Sequence, residues 1–310
     1  MKILAISGGS KNGNNDAMAK EALMGAQEMG AEIEFVHLLD LNIKPCTGCI
    51  ACVKSLMQGG LGDCAIKDDY QWLYNKILDA DGVIIAMPIY EKGTPGVFRT
   101  LQDRMCGPAN DTGTNFIAKK IAEEQGKAGP DPRKFAKKYV SYISIGGSDW
   151  FTSMACDMAM TAMSPMWNVV QNEIFSWSKC IVVNDESVEK CHQIGVNLAK
   201  TIADPDNYKY LSEPGICPIC HCRNFYIHSD NSTAECEVCG MQGKLEIHDG
   251  KLSFSFPQEK LALAHTTLSG KMKHMDDMYG VETALMEAEQ TDKFKERKKK
   301  YREFIQGSKP

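Results

Sequence analysis

Residues 2–30 read KILAISGGSKNGNNDAMAKEALMGAQEMG, and the fold follows from them. KILAIS is a short apolar run, SGGSKNGNND a polar glycine-rich loop, and AMAKEALMGAQEMG carries apolar residues at helical spacing. The unit predicts a strand, a tight turn and a helix. Downstream the alternation repeats. IEFVHL (33–38) is a second strand candidate, and DDYQWLYNKILDA (68–80) a helix with Asp68 or Asp69 suited to its N-cap. GVIIAM (82–87) is a third strand, whose nearly continuous apolarity predicts burial on both faces. GVFRTLQDRMC (96–106) reads as helix, KYVSYISI (138–145) as a fourth strand, and SMACDMAMTAMSPMWNVV (153–170) as a Met-rich helix interrupted at Pro165. CIVVN (180–184) reads as a fifth strand and SVEKCHQIGVNLAKTIA (187–203) as the closing helix. Strands alternating with helices predict an α/β fold: a doubly wound five-stranded parallel sheet with right-handed crossovers. Ligands of such sheets sit beyond the carboxyl ends of the strands, so the informative positions are the loops that follow them.

The bulk composition narrows the class. At 310 residues the chain exceeds what one compact core needs, which predicts one full-sized domain with appendages. A hydrophobic fraction of 43% and a charged fraction of 24% are those of an ordinary globular protein. No apolar run is long enough to span a membrane. MKILAISGGS runs into its glycine loop without a cleavage-site pattern and reads as a strand rather than an export signal. Thirteen cysteines in ligand-like spacings, with no export signal, point to a reducing cytoplasm. The net charge of −5 argues against general nucleic-acid affinity. The expected organisation is a domain over 1–205 with an insertion at 105–137 (a lid or a dimer contact), a linker DPDNYKYLSEPG (204–215), a cysteine-bearing module over 214–256, and a charged helical tail over 257–310.

Three loops at strand ends have ligand chemistry. SGGSKNGNND joins a strand to a helix, and its hydroxyl and amide side chains with glycine-freed N–H groups suit a phosphate monoester, although a plain tight turn has the same look. MPIYEKGTPGVFRTLQDR follows the third strand. There Tyr90 can lie against a planar ring, while Gly93, Thr94 and Gly96 let backbone approach a ligand. SIGGSDW follows the fourth strand with two more glycines and a hydroxyl. Together they favour one flat, phosphorylated cofactor.

ISGGSKNGNN and PIYEKGTPGVFRTLQDR resemble the phosphate loop and second signature of flavodoxin-like NAD(P)H-dependent FMN reductases, over roughly residues 1–200. The resemblance implies the flavodoxin-like strand order 2-1-3-4-5, bound FMN, NAD(P)H as co-substrate and a homodimer or higher homo-oligomer. It implies phosphate contacts at Ser7, Ser10, Asn12, Asn14 and Asn15. It also implies the isoalloxazine beside Pro88, Ile89, Tyr90 and Gly93, with Gly146 and Gly147 on the opposite rim. The phosphate loop of that family commonly carries an arginine, where this chain offers Lys11, which neutralises charge without the bidentate fork.

Two cysteine sets stand out. CTGCIACV followed by CAIKDDYQWLYNKI resembles the iron–sulfur flavoprotein branch of that family, which implies a 4Fe–4S cluster on Cys46, Cys49, Cys52 and Cys64. The gap before Cys64 is about double that of the compact motif, with MQGGLG inserted, so free thiols beside the flavin and a redox disulfide stay open as alternatives. In the C-terminal module, Cys217-x₂-Cys220 and Cys236-x₂-Cys239 flank short strands, the pattern of a tetrathiolate zinc site. CGMQGKLEI resembles the second knuckle of a zinc ribbon. A rubredoxin-like iron site would use the same four thiols, with Cys222, His221 and His228 as spare neighbours. A module this small needs the metal for its stability.

The remaining features point less far. KFKERKKKYREF reads as a solvated amphipathic helix, the Met-rich helix as core or dimer interface, and Trp150, Phe151 and Trp167 as pocket wall or packing. The expectation is a cytoplasmic FMN-dependent oxidoreductase passing reducing equivalents from NAD(P)H to a small acceptor: a quinone, a nitro or azo compound, or an activated double bond. The alternatives are an iron–sulfur flavoprotein carrier working with ferredoxin, and a flavin-binding redox sensor or scaffold. No membrane or nucleic-acid partner is expected.

Overall fold

The computed structural model describes residues 1–308. In chain order the principal elements are β1 (Lys2–Ser7), α1 (Asn14–Glu28), β2 (Glu32–His37), α2 (Ala51–Met57), α3 (Tyr70–Asp79), β3 (Gly82–Pro88), α4 (Gly96–Met105), α5 (Thr112–Glu124), β4 (Tyr139–Ile145), α6 (Met154–Met163), β5 (Asn168–Phe175) and α7 (Asp185–Ala203). Then follow β6 (Phe225–Ile227), β7 (Ala234–Cys236), β8 (Gln242–His248), β9 (Lys251–Ser255), α8 (Leu268–Gln290) and α9 (Asp292–Phe304). The first five strands form one parallel sheet in the order β2-β1-β3-β4-β5, and β6 to β9 form a separate antiparallel sheet. No helix among the described residues is long and apolar enough to cross a membrane.

The pleat sorts each central strand between two cores. Leu4 and Ile6 of β1 and Val83 and Ile85 of β3 face one side, against α3, α4 and α6. Ile3, Ala5 and Ile84 face the other, against α1 and α7. Each such buried aliphatic contributes roughly 1.5–3 kcal/mol, so the continuous apolar runs commit both faces of the sheet. Helices α1 and α7 approach until backbone meets backbone. A Cβ on Gly195 would lie 1.6 Å from the Ala22 carbonyl oxygen, and one on Gly25 would lie 2.2 Å from that of His192.

The fifth strand is not CIVVN. Pro165 and Met166, the latter at φ +52°, stop the Met-rich helix at Met163, and the chain re-enters the sheet at Asn168. Ile181–Val183 is a single 3-10 turn, flush against the Asn184 side chain that caps α7. Only Ile181 of the run is buried there, while Val182 and Val183 are exposed. The true β5 is an edge strand carrying Gln171, Asn172 and Glu173, which hides its signal. Its open edge is covered by the linker: Leu211 N–H donates to the Val170 carbonyl at 2.8 Å, and Asn172 N–H to the Ser212 hydroxyl at 2.9 Å. The insertion carries α5, which packs on α2 and α8. Met154, Met158 and Met163 of α6 are buried, so the Met-rich helix is core.

Candidate functional site

The three loops read from the sequence lie together at the carboxyl edge of the sheet, after β1, β3 and β4. The first is organised by a residue that the sequence reading passed over. Buried Asp16, in the first turn of α1, accepts from the Ser7 hydroxyl at 2.5 Å and from the Asn12 N–H at 2.7 Å. His37 lies 3.7 Å from that carboxylate and meets the Gly9 carbonyl at 3.0 Å. Ser7 and Asn12 thereby shape the loop, while Ser10 stays exposed on its rim. Asn14 ties to the Lys179 carbonyl at 2.9 Å. Lys11 reaches outward to Asp40 at 2.9 Å.

Two observations show that this loop fits a phosphorylated ligand. The N-cap of α1 is Gly13, with no side chain to bond the first free N–H groups of the helix. Asn15 is buried with its side-chain oxygen unpartnered, an acceptor left for a ligand's hydroxyl.

The second loop is a tight hairpin. Tyr90 and Gly93 exchange backbone hydrogen bonds at 3.0 and 2.9 Å across Glu91 and Lys92, both in the left-handed region at φ +45° and +72°. Two non-glycine residues held there require outside support. Asp157 of α6 supplies it. Its carboxylate accepts from the Thr94 N–H at 3.1 Å and from Arg99 at 2.9 Å, while Gln102 donates to its backbone carbonyl at 2.7 Å. Ser153 N–H adds a bond to the Lys92 carbonyl at 3.0 Å. A Cβ on Gly93 would sit 2.5 Å from the Asp157 carboxylate and would push it out of this set of bonds. Pro88 ends β3 buried, Ile89 is half-buried against Gly146, and Tyr90 stands 59% exposed. On the facing loop, Gly146 is fixed by bonds with Phe175 and Ser178, and Gly147 lies beside Lys179. Trp150 is exposed with the Lys92 ammonium 5.2 Å from its ring centroid. Phe151 packs on the core. Trp167 precedes β5, at the opposite edge of the sheet, and is core.

The first cysteine set lies between β2 and α3. Cys46 and Cys49 are exposed, and Cys52 and Cys64 half-buried. Their four sulfurs are not among those gathered closely enough for one ion, and a four-iron cube spreads its thiolates wider than one ion does. Hydrogen bonds from the Ala51 N–H and the Thr47 hydroxyl hold the Cys49 thiol below its ordinary range, whereas burial pushes Cys52 up. The two aspartates of CAIKDD brace this segment. Asp69 occupies the N-cap position of α3 but gives its carboxylate to the Asn42 N–H at 2.7 Å, while Asp68 accepts from Tyr70 N–H at 3.1 Å and Lys44 N–H at 2.8 Å. Arg104 grips Asp68 in a bidentate pair at 2.7 and 3.1 Å, both side chains being buried, and also donates to the Lys44 carbonyl. Burial opposes ionisation of Asp68, but the Arg104 pair and the two N–H groups outweigh it and lower its pKa.

The second set closes. The sulfurs of Cys217, Cys220, Cys236 and Cys239 lie within 4.8 Å of one another, with Cys217–Cys239 at 3.7 Å and Cys220–Cys236 at 3.4 Å. A tetrahedron with Zn–S bonds of about 2.3 Å has edges of about 3.8 Å, so this donor set fits one tetrathiolate ion. Hydrogen bonding with Cys220 lowers the Cys217 thiol, and bonding with Cys217 lowers that of Cys236. The spare neighbours stand aside. Cys222 bonds Asn224 N–H, His221 stacks on Tyr210 at 4.1 Å, and His228 pairs with Glu235. The module docks on α6, where Cys156, Ala159 and Met163 join its core.

Comparison with known proteins agrees with this geometry. The NADPH-dependent FMN reductase family pattern matches residues 1–180. A solved flavone reductase superposes over 100% of both chains with a TM-score of 0.89 and 45% identity. A flavone synthase of Aspergillus candidus is 26% identical over 90% of this chain and 88% of its own length. An iron–sulfur flavoprotein of Archaeoglobus fulgidus is 29% identical over 66% of this chain and 92% of its own.

Proposed function

The chain belongs to the NADPH-dependent FMN reductase family and is an FMN-dependent oxidoreductase, and on that premise we propose that it uses NAD(P)H to reduce the enone double bond of a flavone-like acceptor. The observation that carries the proposal is the carboxyl-edge site, with its uncapped α1 N-terminus on one side and its clamped Tyr90–Gly93 hairpin on the other. The end-to-end likeness to a flavone reductase supports the acceptor class, an activated double bond being one of the acceptors expected from the sequence.

Bound FMN supplies the hydride chemistry, taking two electrons from the nicotinamide and giving them to the acceptor. Ser10, Asn12, Asn14, Asn15 and the α1 N-terminus would hold its phosphate and ribityl chain, with Ser7 acting through Asp16. Pro88, Ile89, Tyr90, Gly93, Gly146 and Gly147 would border its ring. Asp157 keeps the strained hairpin in one conformation, so the rim is preorganised rather than assembled on binding. Tyr90 and Trp150 offer flat, exposed faces at the mouth for an aromatic acceptor. In the overall reaction the β carbon of the enone gains hydride and the α carbon a proton, and NAD(P)H becomes NAD(P)⁺.

Zinc in the C-terminal module is part of the proposal, supported by the tetrahedral sulfur spacing. Such a centre has no open position and serves structure. A second reading is favoured by the iron–sulfur flavoprotein relatives: a 4Fe–4S cluster on Cys46, Cys49, Cys52 and Cys64, with ferredoxin as electron partner. Anaerobic turnover separates the readings. Flavone-dependent oxidation of NADPH or NADH, with the saturated product by mass spectrometry, is the expected result. Turnover with reduced ferredoxin alone, together with about four irons per chain, would replace the proposal with the second reading. Bound flavin with no turnover on any acceptor class would leave only a sensor or scaffold.

A further inference from the structure

The C-terminal helices are held at one end only. Lys271 at the start of α8 is buried on Asp111, and the Thr114 hydroxyl donates to Met275 at 3.1 Å, which fastens the first turns of α8 to α5. Beyond Asp276 nearly every residue is exposed. Yet this stretch has a well-defined face. Met278, Tyr279, Glu282, Leu285, Met286 and Glu289 follow at intervals of three, four and seven and fall on one side of α8. Tyr279 is 75% and Met286 57% exposed. The stripe is apolar with two carboxylates along its middle. Helix α9 carries the counterpart, with Phe294 and Tyr301 seven apart and Lys298 between them. The charges divide in the same way. Residues 276–292 contain six acidic and no basic side chains, and 293–302 contain seven basic side chains against one acidic.

Within one chain the two stripes cannot meet. Thr291 alone separates the helices, at φ −75° and ψ 143°, and an antiparallel helical hairpin needs a loop of about two to five residues. Among the described residues no ion pair joins α9 to the acidic face of α8. At 13 residues α9 is marginal in water without a packed face.

We propose that residues 276–304 form a dimerisation arm, in which α9 of each protomer lies on the acidic apolar stripe of α8 of a second copy. The exchange is reciprocal, as a two-fold interface requires, with Lys298 facing Glu282 and Glu289 across it. The arm lies beyond residue 180, where the family match ends, in the C-terminal extension.

Analytical ultracentrifugation of the FMN-loaded full chain tests this. The wild type should sediment as a dimer that weakens as salt rises. Lys298→Glu should raise the dimer dissociation constant at least about tenfold, and adding Glu282→Lys and Glu289→Lys to it should restore the dimer. The flavin absorbance of every variant should match the wild type, which shows that the domain has folded. A monomeric wild type, a dimer indifferent to Lys298→Glu, or a charge-swapped triple variant that stays monomeric with intact helicity and flavin would each overturn the proposal. So would a monomer that binds duplex DNA through Lys298.

Discussion

The two cysteine regions share a residue type and a C-x₂-C spacing and solve opposite problems. In the C-terminal module, short strands β6, β7 and β8 turn Cys217, Cys220, Cys236 and Cys239 inward until their sulfurs touch, and Val238, Met241 and Phe254 complete a small core around them. Between β2 and α3, Cys46 and Cys49 remain in solvent, and the segment is held by an Arg104–Asp68 pair and backbone bonds to Asp68 and Asp69. The first region is packed around its sulfurs. The second is braced by an ion pair and backbone bonds in which no thiol takes part. Spacing alone does not distinguish the two cases.

The largest test is at the module. Cys236→Ala, or treatment with a chelator, should abolish its ordered fold, since structural zinc in modules this small contributes roughly 10 kcal/mol or more. Limited proteolysis should then cut within residues 216–256, whereas Cys49→Ala should change stability by less than about 1 kcal/mol. Equal effects from the two substitutions would break the contrast. Because α6 carries the module on one face and Asp157 on another, metal loss should also weaken FMN binding, measured by recovery of flavin fluorescence.

Next comes the ionic brace. Asp68→Ala leaves a buried guanidinium alone and should cost about 3–5 kcal/mol in denaturant unfolding. Its sign with pH follows from the lowered folded pKa. The contribution is complete above the unfolded carboxylate value near 3.9 and disappears as pH falls through the folded value. Unfolding midpoints measured from pH 6 to pH 2 should therefore lose, in Asp68→Ala, part of the acid dependence seen in the wild type.

Asp157→Asn keeps shape but removes the charge that Arg99 and the Thr94 N–H share. It should raise the FMN dissociation constant about tenfold, with a stability loss near 1 kcal/mol. A large stability loss with unchanged FMN affinity would make Asp157 a packing residue only. The smallest effect is kinetic. At neutral pH, iodoacetamide should label Cys49 several-fold faster than Cys52, because one thiol is lowered by hydrogen bonds and the other raised by burial. The four module cysteines should stay unlabelled while metal is bound.

Most of the sheet and the three site loops were legible because their signals are local. Continuous apolar runs mark strands covered on both faces, and glycine-rich breaks mark the turns at their ends. The fifth strand was misread for a local reason as well: an edge strand keeps polar residues such as Asn172 and Glu173, whereas CIVVN is apolar without being extended. Asp16 stood beside the glycine loop and could have been suspected as an acid in the first turn of its helix.

Asp157 could not have been suspected, nor Arg104. Their partners lie 63 residues away at Thr94 and 36 away at Asp68, and neither residue departs from an ordinary helical pattern. By itself the sequence determined the α/β class, the edge of the sheet that carries the candidate site and the existence of two cysteine sets. Each of these rests on periodicity or spacing within a few turns of chain. Tertiary structure decided which cysteine set closes, what holds the Tyr90–Gly93 hairpin in its strained turn, and that the last helices leave an acidic and a basic stripe uncovered. Those outcomes depend on which distant backbones are brought within hydrogen-bonding range, and that is set by packing of the whole sheet.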